Sequence, residues 1–125
     1  MFIGSIVMKI AVIGSRNLTV KDLGQYLPKE VTEIVSGGAR GIDTSAREYA
    51  LANGIKLTEF LPQYDKHSRC APLKRNLQII DYADFVFALW DGKSRGTKYG
   101  IDNCKKRKKK VRVFLAKKFQ PMRLQ

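Results

Sequence analysis

The residues able to do chemistry gather in three short loops. The first is GSRN at 14–17, carrying Gly14, Ser15 and Arg16. The second is SGGARGID at 36–43, with Ser36, Gly37, Gly38, Arg40, Gly41 and Asp43. The third is DGKSRGT at 91–97, with Asp91, Gly92, Ser94, Arg95, Gly96 and Thr97. Glycines let a backbone approach an anion closely and adopt positive φ. Where such a loop opens a helix, unpaired N–H groups and the positive end of the macrodipole face that anion. Ser36, Ser94 and Thr97 add hydroxyl donors, and Arg16, Arg40 and Arg95 offer forks suited to phosphate oxygens. Neither glycine-rich loop is a Walker A, because the lysine–hydroxyl pair after its second glycine is missing. GSRN is not the GxGxxG dinucleotide fingerprint either. Any one glycine-rich turn is as readily a tight connection as a ligand site. Three that follow three separate strands make a phosphate-bearing ligand the better reading.

The elements that must position these loops alternate. KIAVIG (9–14), TEIVSG (32–37), KLTEFL (56–61), DFVFALW (84–90) and VRVFL (111–115) read as five strands. Thr19 and Asp22 give a weak capping signal for a helix over VKDLGQYL, closed by Pro28. A second helix spans 41–52, with Ile42, Ala46, Tyr49 and Ala50 at helical spacing and Gly54 beyond its end. PQYDKHSR reads as turn, before a helix from 72 to 82 with Leu73, Leu77 and Ile80 on one stripe. A fourth helix runs from 96 into the basic run, turning Thr97, Ile101 and Cys104 inward. Such alternation predicts a single α/β, Rossmann-like three-layer domain with a parallel sheet of order 3-2-1-4-5. In that order the crevice between strands one and four is the switch point where open α/β sheets bind ligands. Residues 1–7 read as an extra leader and 116–125 as a loosely held basic tail.

Composition narrows the classes. At 125 residues the chain needs neither disulfide nor metal to hold its core. Two cysteines without a CxxC, and one histidine, point to a reduced cytoplasmic protein with no metal site and no required cofactor. No apolar run approaches the ~18 residues of a membrane span. The net charge of +13 is placed unevenly: residues 105–125 hold 10 basic residues and no acid. Its centre is Lys105, Lys106, Arg107, Lys108, Lys109 and Lys110, which reads either as a solvated face or as a nucleic-acid surface.

AVIGSRN, SGGARGIDTSAREYAL, KRN and ADFVFALWDGKSRGT together resemble the SLOG superfamily over about residues 8–115. That group includes the DNA-processing protein DprA, the Lonely Guy phosphoribohydrolases and small YspA-like stand-alone domains. The wording WDGKSRGT and the short length favour the YspA-like branch. The resemblance implies a nucleotide-type ligand, a sensor or effector role, and homodimers through the helix faces. It assigns the three loops to ligand binding and adds Arg75 and Asn76 as a clamp from the helix before strand four. Asp43 then either accepts from a ribose hydroxyl or caps its helix. Single-stranded DNA binding in the DprA manner, with the basic run, is one alternative. Phosphoribohydrolase action is another, but the Lonely Guy glutamate after Thr97 is replaced by Gly100. Asp102 would sit at a different angle of the helix, leaving Asp43 and Asp91 as possible substitutes. Trp90 is placed to stack on a base or to pack, and Cys104 reads as a small buried hydrophobe.

Overall fold

Five short β-branched or aromatic runs become β1 (Lys9–Gly14), β2 (Glu33–Ser36), β3 (Lys56–Glu59), β4 (Phe85–Trp90) and β5 (Val111–Leu115). In the computed structural model, which describes residues 7–115 without the side chains of His67 and Ser68, they form one sheet. Its order is β3-β2-β1-β4-β5 and every pairing is parallel, so the fold is α/β and Rossmann-like. Apart from Val7, the expected leader and the tail at 116–125 lie outside the described residues.

Strand alternation divides the core into two. Ile10, Val12, Phe87 and Leu89 point to one face, where Ile42, Ala46 and Ala50 of α1 (Ile42–Ala52) cover them. Ala11, Ile13, Val86 and Ala88 point to the other. There Ile79 and Ile80 of α3 (Ala71–Tyr82) meet Ile101 and Cys104 of α4 (Arg95–Lys106). Burial pushes the Cys104 thiol up to about 11, as suits an inert core side chain. Among the described residues no helix is long and apolar enough to cross a membrane.

Three expectations are corrected. The helix expected before Pro28 shrinks to one 3-10 turn at Leu23–Gln25. Gly24 lies mid-segment and so close to α1 that a Cβ there would sit 2.9 Å from Tyr49 Cε1. An eight-residue helix carrying a glycine is marginal. Val20, Leu23, Leu27 and Val31 keep a helical spacing, yet the chain buries them, with Leu18, without forming that helix. The turn expected at 62–69 contains α2 (Tyr64–His67) and a 3-10 turn at Ser68–Cys70. The buried stripe of α3 is Ala71, Arg75, Ile79 and Ile80, whereas Leu73 is 37% exposed.

Candidate functional site

At the carboxyl edge of the sheet the loops after β1, β2 and β4 meet the start of α3 around a cleft of about 440 Å³. The switch point between β1 and β4 lies at its centre. Gly14, Ser15, Arg16, Arg40, Asp43, Arg75, Asn76, Asp91, Ser94, Gly96 and Thr97 line it, all expected from sequence. Asn17, Leu73 and Arg95 join them from segments already noted, and Ile13, Ala39, Pro72 and Ile79 are additions. The additions are apolar. They form the cleft's non-polar wall, which a search for phosphate chemistry does not seek.

Ser36, Gly37, Gly38, Gly41 and Gly92 are absent from the lining. Gly41 (φ 79°) runs so close to β1's loop that a Cβ would meet the Ser15 and Arg16 carbonyl oxygens at 2.5 Å. Gly37 makes room for Arg75, because a Cβ there would lie 2.5 Å from Nη1. Ser36 Oγ is fully buried and has no hydrogen bond of good geometry.

Ser15 fastens the loops together. Its N–H donates to the Leu89 carbonyl, and its own carbonyl accepts from Leu18 and Ile42. Its Oγ accepts from the Asp91 N–H at 3.1 Å and from Ser94 Oγ at 2.9 Å. Asp91 Oδ1 in turn accepts the N–H groups of Lys93 (2.8 Å) and Ser94 (2.7 Å). Burial works to raise the Asp91 carboxyl. The Ser94 and Lys93 N–H groups, with the Ser94 and Ser15 hydroxyls, outweigh it and hold the carboxyl at about 2. Asp91 is therefore an ionised brace. It positions the first turn of α4, whose leading N–H groups have no partner within the helix. No side-chain cap covers that terminus, and Arg95, Gly96 and Thr97 present it to the cleft.

Arg75 occupies the floor at 5% exposure. Nε donates to Asn76 Oδ1 (2.9 Å), and Nη1 donates to the carbonyls of Gly37 (2.6 Å) and Phe60 (3.2 Å). No described residue accepts from Nη2. Burial and the nearby Arg16 lower its proton affinity, while Asp43 and Tyr64 support it. Asp43 reaches back to the loop before α1, accepting from the Ala39 N–H at 3.1 Å. Burial raises its carboxyl, against the Ala39 N–H, the neighbouring Ser36 hydroxyl and Arg75. It forms no ion pair within 4.0 Å among the described residues.

The lining thus sets four arginines against two aspartates, one of the latter held by its own loop. Arg16, Arg40 and Arg95 are exposed on the rim, above the buried Arg75. Trp90 donates Nε1–H to the Ser94 carbonyl at 3.0 Å and packs on the core, outside the lining. Gly100 lies outside it too, packed beneath α4 where a Cβ would come 2.9 Å from Ile13 Cδ1. The basic run at 105–110 is at the far end of α4, one helix length from the cleft.

The family model described as DNA recombination-mediator protein A matches residues 4–68, just over half of the chain and the part holding β1, β2, α1 and β3. No curated protein matches. Among solved structures the chain is similar to the X-ray structure of DNA processing protein A (DprA) from Streptococcus pneumoniae. The TM-score is 0.69 at 24% identity over 86% of this chain, a likeness of fold. The match spans 50% of that chain, so this sequence corresponds to about half its length.

Proposed function

This chain belongs to the DNA recombination-mediator protein A family, and from that premise we propose that its cleft binds a phosphorylated nucleoside by the phosphate. The observation that carries the reading is Arg75. It is a guanidinium at 5% exposure, anchored through Nε and Nη1, and its Nη2 lacks a protein acceptor in a side chain that lines the cleft. A guanidinium anchored on one side and open to the cleft on the other is naturally completed by an anionic ligand. The uncapped start of α4 supplies a second set of donors across the same cleft. The apolar wall of Pro72, Leu73 and Ile79 suits a base or ribose face.

Binding, as in a sensor or effector of the YspA-like kind, fits these groups better than cleavage. Asp91 is held ionised by its loop, and Gly100 has no carboxylate to offer. Asp43, with its raised carboxyl, is suited to meet a ribose hydroxyl. A second reading places one nucleotide of a single DNA strand in the cleft, as the family's name suggests. It is favoured by three exposed arginines on the rim, more than one phosphate needs.

Thermal melting against mono-, di- and cyclic nucleotides, ADP-ribose and a short oligothymidylate tests both readings. A ligand at about 100 times its Kd adds about 2.7 kcal/mol and raises the melting temperature by several degrees. Arg16→Ala, at an exposed position, is expected to shrink that shift without altering the free protein's melting. A shift with the oligomer and with no free nucleotide selects the second reading. No shift with any of them removes both.

A further inference from the structure

We infer that the turn joining α4 to β5, at the amino edge of the sheet, is a second anion-binding surface that holds the sugar–phosphate backbone of nucleic acid without reading its sequence. In a parallel sheet every helix returns the chain from the carboxyl to the amino edge. With 12 residues, α4 therefore carries its C-terminal lysines about 18 Å from the cleft. This surface is independent of the cleft and of the ligand proposed there.

Two other cations at this edge already have partners. Lys56 pairs with Glu33 at 3.7 Å, and Lys9 Nζ lies 4.2 Å from the centre of the Tyr82 ring. Within the basic run Arg107 pairs with Asp81 at 2.9 Å, and Lys109 Nζ donates to the Ala83 carbonyl. These two contacts dock the turn. Lys105, Lys106, Lys108 and Lys110 are exposed and no carboxylate among the described residues pairs with them, although Lys110 Nζ lies 5.7 Å from the centre of the Phe85 ring. The nearest acid on the helix, Asp102, is held by Lys98 at 2.9 Å.

A second observation separates this run from an ordinary solvated helix end. The Lys108 N–H donates to the Lys105 carbonyl and the Lys109 N–H to the Cys104 carbonyl, which is a Schellman closure of α4. The residue after the C-cap then adopts left-handed backbone, and Lys108 does so at φ 57°. Glycine is the usual occupant, and a side chain there costs about 1 kcal/mol. Lysine in that place keeps an unbroken cationic surface at the expense of helix-end stability. Positions 105–110 include no apolar side chain to enter a lipid layer and no aromatic to stack on a base. Lysines are flexible point charges, suited to phosphates rather than to base edges.

The test measures anisotropy of a labelled mixed-sequence duplex of about 30 base pairs, bound by the full chain between about 50 and 200 mM salt. Four released counterions give a log–log slope of about −3 to −4. The variant K105Q/K106Q/K108Q/K110Q is expected to lose most of that slope and at least about tenfold in affinity at low salt. It should keep its cooperative melting. Lys108→Gly discriminates further: it should melt at higher temperature than wild type, yet bind with a slope shallower by about one. An unchanged slope in the quadruple variant overturns the proposal. So does tighter binding of the wild type to phosphatidylserine vesicles or polyglutamate than to the duplex.

Discussion

Arg75 shows how one residue can hold a site and the fold together. Arg75→Ala strips the Gly37 and Phe60 carbonyls of their donor and is expected to cost about 2–3 kcal/mol in urea unfolding. Gly37→Ala should reproduce part of that loss, because its Cβ would displace the guanidinium. The two aspartates of the cleft should respond to pH with opposite signs. A carboxyl held low adds stability that is complete above its unfolded value near about 4 and is lost as pH falls through about 2. Asp91→Ala should therefore cost about 1–2 kcal/mol at neutral pH, a difference that closes in acid. Asp43 is held high, so the native state keeps its proton where the unfolded chain has lost it, and stability falls as pH rises above about 4. Asp43→Asn should match wild type in acid and become the more stable of the two toward neutrality. Urea midpoints across pH check both. The identity of these residues was legible from the loops and the RN pair, but their roles were not. Ser15 also fastens the loops, a role hidden because its partner Asp91 lies 76 positions away, and the Asp91 carboxylate braces its own loop through Lys93 and Ser94.

At the scale of elements, sequence reading succeeded where the hydrophobic period was local and failed where a tertiary contact decided. All five strands and three main helices lie where β-branched runs and helical spacing place them. The segment before Pro28 has helical signals, yet it is drawn into irregular chain by α1. The burial of α3 turns on Arg75, a residue that periodicity counts as polar. The carbonyls that accept from it follow β2 and β3, so its charged type, not its spacing with Ala71 and Ile79, hid its burial. Gly100 illustrates packing of α4 on β1. Gly100→Glu, grafting the missing carboxylate, would bury charge against Ile13 and should cost about 2 kcal/mol or more without creating base release from a nucleoside monophosphate. Thermal melting and a free-base assay together check this.

For the molecule as a whole, the sheet order came directly from alternation and crossover rules, with strand pairing as expected along its length. The two cationic regions lie at opposite edges, at the two ends of α4, as the uneven charge and a helix running into the basic run imply. The same strand order also has a bearing on how the protein is made. β1 is the central strand, paired on one side with β2 and on the other with β4. About 70 residues separate the end of β1 from the start of β4, which the ribosome takes about 4–14 s to add. Throughout that interval the half-sheet β1–β2–β3 offers a bare strand edge flanked by Ala11, Val12 and Ile13, which β4 alone later covers among the described strands. A fragment ending at residue 84 should stay partly folded and self-associate, as seen by broad melting and early elution. In the cell, the vulnerable moment of this protein is the wait for its fourth strand, when a holding chaperone has most to do.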